Sequence, residues 1–73
     1  MTESAAKASL GQRLRVARLE ADVTIAELAR ALEVDPRTVA GWQSGRSAPT
    51  VERLLKIADV LGKPPSYFVE QAA

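Results

Sequence analysis

The segment from Thr24 to Arg46, TIAELARALEVDPRTVAGWQSGR, leaves this chain few ways to fold. Ile25, Leu28, Ala29 and Leu32 recur at i, i+3, i+4 and i+7, the spacing of one buried helix face. Thr24 and Glu27 form the S/T-x-x-E pattern, in which a hydroxyl and a carboxylate satisfy two orphan amides at a helix start. A second start follows at Asp35-Pro36, because Asp accepts amide hydrogen bonds as an N-cap and Pro needs no amide at the first helical position. Only Glu33 and Val34 stand between the first helix and this cap. So short a connection forces a sharp angle between the helices, and Val34, Val39 and Trp42 are spaced to seal the corner.

The flanking sequence reads as further helices around this bend. Met1 to Ala8 is small and polar and is expected to be a flexible extension, with the domain running from 9 to 70 and the bent pair at about 25–44. Ser9 and Gln12 predict a capping box opening a first helix to Glu20, with Leu10, Leu14, Ala17 and Ala21 as its buried stripe. After Gly45, a left-handed helix stop, Thr50 caps a fourth helix whose Val51, Leu54, Ile57, Ala58 and Leu61 hold helical spacing up to Gly62. Pro64-Pro65 opens a last short turn carrying Tyr67, Phe68 and Val69. No strand-like alternation or internal repeat is visible.

Composition narrows the chemistry. The 73 residues are enough for one domain, near the size at which a single core is marginal. The absence of Cys and His excludes disulfides, zinc fingers, iron–sulfur clusters, thiol nucleophiles and imidazole acid–base catalysis, so neither metal nor cofactor is expected. No apolar run approaches the ~20 residues needed to span a bilayer, and the N-terminus lacks a signal-peptide pattern, which predicts a cytoplasmic chain. The formal net charge is only +1, yet it is segregated. Lys7, Arg13, Arg15 and Arg18 stand together without an acid, an acidic stretch follows, and Arg37, Arg46, Arg53 and Lys56 restore the positive balance. Folding can gather these into one basic face or leave them as scattered solvated charge.

Two short helices joined this tightly form the unit that sets its second helix in the DNA major groove. Around that unit stand, in order, LGQRLRVAR, TIAELARALEV, TVAGWQSGRSAP, LLKIADVLG and SYFV. With these blocks at these spacings, the sequence resembles the phage-repressor and Cro-like helix-turn-helix family, also called the xenobiotic-response-element family, from about Leu10 to Val69. The resemblance implies an all-α, compact five-helix, lambda-repressor-like DNA-binding domain. It further implies that Pro36, Arg37, Thr38 and Gly41 face the bases and that Thr24, Ile25, Ser44 and Arg46 lie nearest the phosphates. Arg37 suits the first role, since arginine is the commonest reader of guanine O6 and N7. Arg13 joins the phosphate group through its place in the basic stretch, the alternative being a solubilising charge. Trp42 is read as core.

Four positions depart from the family pattern. Ile25 replaces a glutamine that commonly bridges phosphate and base, and Glu33 replaces a turn glycine, at a cost on the order of 1 kcal/mol if the backbone there is left-handed. Gln43 replaces a glutamate that pairs internally with the arginine corresponding to Arg18, which reduces a buried ion pair to a charge-assisted hydrogen bond and leaves Arg18 partly free for phosphate or Glu20. Gly41 offers no side chain where readers often carry a polar one. The reading that follows is a sequence-specific DNA-binding transcription regulator, a repressor acting on double-stranded DNA as a homodimer at half-sites about one helical turn apart. The alternative is a protein-interaction module of the same fold, of antitoxin or anti-repressor type. Tyr67 and Val69 read either as a dimer patch or as a cover for the core. Nothing resembles a nucleophile–base pair or a deep pocket, so no catalytic residue is assigned.

Overall fold

The computed structural model describes the backbone from Glu3 to Val69 and the side chains from Leu10 to Phe68; Met1, Thr2, residues 70–73 and the side chain of Val69 lie outside the described residues. Five helices follow one another without a strand among the described residues: α1 (Glu3–Glu20), α2 (Ile25–Leu32), α3 (Pro36–Ser44), α4 (Val51–Leu61) and α5 (Ser66–Val69). The capping residues set the boundaries. Thr24 Oγ1 accepts the Glu27 amide at 3.0 Å while Glu27 Oε1 accepts the Thr24 amide at 2.9 Å, a complete capping box. Asp35 accepts the Arg37 amide at 2.8 Å, and Thr50 accepts the Arg53 amide at 3.2 Å. Gly45 (φ 83°) and Gly62 (φ 70°) close α3 and α4 in the left-handed conformation that glycine adopts without a Cβ penalty.

α1 begins earlier than its sequence predicts. Ser9 lies inside the helix, so the expected Ser9/Gln12 capping start gives way to a helix that begins at Glu3. The reason is propensity, since Ala, Lys and Glu in ESAAKA extend a helix readily and an early Glu complements its N-terminal dipole. Two stripe residues also fall outside the core. Ala21 is exposed in the turn after α1, and Val51, at 74% exposure, sits on the first turn of α4 beyond the reach of its neighbours.

The core is aliphatic and sits where the helices converge. Leu14 and Ala17 of α1, Leu28 and Ala29 of α2, Val39 and Trp42 of α3, Leu54, Ile57, Ala58 and Leu61 of α4, and Phe68 of α5 are buried in one cluster. α3 lies chiefly against α1 and α2, which leaves its remaining side to solvent. Val34 is half-buried beneath the bend, so the apolar corner expected of Val34, Val39 and Trp42 is present.

The bend itself turns on Glu33, whose φ of 60° and ψ of 44° are left-handed. Its amide and that of Val34 close the end of α2 onto the Arg30 and Ala29 carbonyls. A side chain with a Cβ is strained in that conformation. Glu33→Gly is expected to raise stability by about 0.5–1 kcal/mol, after allowance for the larger unfolded-state entropy of glycine. A thermal melt checks this, and a variant that melts no higher than the parent would show that no strain is relieved.

Candidate nucleic-acid interface

The outward side of α3 is made by helical geometry. Val39 and Trp42 point into the core and Thr38 is half-buried, which leaves Pro36, Arg37, Ala40 and Ser44 exposed along one strip, continued by Arg46 in the following loop. Ala40 belongs to this strip although nothing in its residue type marks it in the sequence. Gly41 does not: the loop folds back over it, and its carbonyl accepts the amides of Arg46 and Ser47 at 3.0 and 3.3 Å and the Ser44 hydroxyl at 3.1 Å. A Cβ built at Gly41 would lie 3.4 Å from Ser47 Oγ. The residue thus seats the loop, and the base-facing place that the resemblance implies for it is covered.

Arg37 is the prominent side chain of the strip. Its side chain is 92% exposed, and its guanidinium meets the Asp35 carboxylate side-on, Nε to Oδ1 at 3.2 Å and Nη2 to Oδ2 at 3.3 Å. The hydrogen bonds from Arg37 hold the Asp35 carboxyl below the usual carboxylate range, and Asp35 in turn raises the Arg37 guanidinium. Both groups therefore stay charged through the neutral range.

α2 and the loop after α3 carry the residues that the resemblance sets nearest the phosphates. Thr24 Oγ1 uses a lone pair on the Glu27 amide and keeps its own proton to donate, beside the Ile25 and Ala26 amides that have no intrahelical acceptor at a helix start. Ile25 is half-buried against the core and contributes its backbone only. Ser44 is exposed, but its hydroxyl proton is directed to Gly41 O. Arg46 is exposed.

Two basic residues of α1 are held elsewhere. Arg13 Nη1 donates to the Tyr67 carbonyl at 2.8 Å, with its guanidinium 5.6 Å from the Tyr67 ring centroid, so this residue fastens α5 to α1. Arg18 is buried, donating from Nε to Gln43 Oε1 at 2.7 Å and from Nη1 to the Val23 carbonyl at 2.8 Å. It is not free for phosphate, and Glu20 pairs with Lys63 at 2.9 Å instead. Gln43 thus keeps α1 and α3 together through a charge-assisted bond without an ion pair.

One residue that fixes α3 carries no chemistry of its own. An ideal Cβ on Gly11 would lie 2.4 Å from the Gln43 carbonyl oxygen and 2.6 Å from that of Trp42, so only glycine lets α1 approach the end of α3 this closely. A glycine within a helical pattern is a weak sequence signal of such a contact.

Comparison with known proteins agrees with this geometry. A helix-turn-helix family profile matches residues 14–68. The fold superposes on the restriction-modification controller protein C.AhdI from Aeromonas hydrophila with a TM-score of 0.82 at 28% identity, covering 88% of this chain and 97% of that one. It also matches the clp gene regulator ClgR from C. glutamicum, with a TM-score of 0.79 at 28% identity over 93% of this chain and 94% of that one. A helix-turn-helix family transcriptional regulator from Vibrio cholerae shares the fold at a TM-score of 0.81 and 24% identity, over 97% of this chain and 40% of that one. No match is found among curated protein sequences. Among the described residues no helix is long and apolar enough to cross a membrane. By the family profile, the fold and the bent pair α2–α3, the chain belongs to the helix-turn-helix family of DNA-binding transcription regulators, of the xenobiotic-response-element type.

Proposed function

We propose that this regulator is a sequence-specific repressor that sets α3 in the major groove of double-stranded DNA and binds as a two-fold homodimer to half-sites about one helical turn apart, in the cytoplasm. The observation that carries the reading is the exposed strip of α3, with Arg37 at its head and the Thr24 hydroxyl and Arg46 at its flanks. Arg37 serves as the base reader, with Pro36, Thr38 and Ala40 against the groove wall; Thr24, the first amides of α2, Arg46 and Ser44, on turning its hydroxyl outward, hold phosphates. The names of C.AhdI, a controller protein, and ClgR, a gene regulator, support a role in gene control.

Titration of duplex DNA at several salt concentrations tests the proposal. Log affinity should fall linearly with log salt, with a slope of about −0.9 per phosphate neutralised. Arg37→Ala should weaken the preferred duplex by about 1–3 kcal/mol and random duplex much less. Salt-independent affinity, or an Arg37→Ala variant indistinguishable from the parent, would set the proposal aside. A protein-interaction module is the second reading, favoured by half-buried Ile25 and covered Gly41, which present no polar side chain to a base. A stoichiometric protein partner together with no shift of any DNA fragment would decide for it.

A further inference from the structure

We infer that Asp35 is a positioning residue that sets base specificity, by holding the Arg37 guanidinium on its Nε–Nη2 edge so that the outer Nη1–Nη2 edge is presented to a single guanine. The inference rests on the major-groove placement of α3 proposed above.

The arrangement is a relay of fixed geometry. Asp35 Oδ1 accepts the Arg37 backbone amide at 2.8 Å, which locks the carboxylate to the first turn of α3. The locked carboxylate then takes two of the five guanidinium N–H groups, at 3.2 and 3.3 Å. The outer edge, whose paired N–H groups match guanine O6 and N7, makes no hydrogen bond or ion pair to a described residue, and the side chain is 92% exposed. An unrestrained arginine explores many rotamers and reaches phosphates as readily as bases, whereas one held side-on meets the groove in a single orientation. The carboxylate adds a second effect, because its negative charge at the head of α3 opposes non-specific approach to the phosphate backbone. Asp35 thereby trades general affinity for discrimination.

Asp35→Asn tests this, since asparagine caps a helix as well as aspartate and removes only the charge. Affinities are measured for the preferred duplex, for duplexes with each guanine of the site replaced in turn by adenine, and for random duplex. In the parent, one guanine replacement should weaken binding by about tenfold or more. In Asp35→Asn that penalty should shrink several-fold while affinity for random duplex rises, with an unchanged melting temperature; Asp35→Ser, a second competent cap, should behave alike. Arg37→Lys, with the Asp35 cap intact, should lose the penalty outright, which assigns the discrimination to the guanidinium; a purely structural cap would leave the penalty unchanged in Asp35→Asn. If the parent binds DNA with base preference and Asp35→Asn discriminates guanine equally well, Asp35 does not position Arg37 and the repressor reading stands. If the parent binds no duplex at any salt, the DNA-binding reading falls, and this inference falls with it.

Discussion

Phe68→Ala should lower stability by about 3–5 kcal/mol, read as a fall of roughly 3–5 M in the urea midpoint at an unchanged m of about 1 kcal/mol/M. The ring is completely buried, and it belongs to a helix only four residues long. A segment that short has no helical stability of its own, so α5 exists because Phe68 fills the base of the core. Tyr67 meets Phe68 edge-on at 5.0 Å and 86°, and beside its ring stand Arg13 at 5.6 Å and Lys63 at 5.0 Å. The Glu20 hydrogen bond raises the Lys63 ammonium, so the contact with Tyr67 keeps its charge throughout the neutral range. These are surface interactions worth far less than the ring beneath them. A domain of this size has a total stability near the lower end of about 5–15 kcal/mol, and removing Phe68 takes away a large share of it. A midpoint shifted by less than 1 M would mean that α5 is dispensable to the core.

Gly11→Ala should cost about 3 kcal/mol and also weaken DNA binding by more than tenfold. In an isolated helix this change is favourable by about 1 kcal/mol, so a loss would come from the tertiary contact alone. The new methyl would meet the carbonyl oxygens of Gln43 and Trp42 at 2.4 and 2.6 Å, and backbone atoms cannot rotate away as a side chain does. Overpacking of this kind forces the elements apart, with costs at the upper end of the 1–3 kcal/mol range. The shift would stretch the 2.7 Å bond between Arg18 and Gln43 and tilt α3 on its bed. Urea denaturation and duplex titration read the two losses separately, and an alanine variant matching the parent in both would show that the helices yield without consequence.

The sequence is legible where structure is local. Thr24 with Glu27, Asp35 with Pro36, Thr50, Gly45 and Gly62 act on their own neighbours, and each helix boundary they predict is found. Val51 and Ala21 are harder, because periodicity tells which residues share a face but not how far along the helix that face stays covered. The long basic side chains are harder still. Arg13 finds a carbonyl 54 residues away, and Arg18 an amide oxygen 25 residues away, and nothing adjacent to either residue specifies that partner. Gly41 was legible as an oddity in the resemblance, while its task of seating the loop depends on how residues 44–47 fold back.

That fold-back bears on the thermodynamics of recognition. The Arg46 and Ser47 amides of the turn after α3 and the hydroxyl of Ser44 at the helix end converge on one carbonyl oxygen, that of Gly41. Ordering the backbone of a single residue costs about 1–2 kcal/mol of entropy, and here the Arg46 and Ser47 backbones have met that cost before any DNA arrives. With α3 placed in the groove as proposed, helix and turn would approach the duplex as one rigid blade, and the free energy of each contact they form would go into affinity without a loop to freeze.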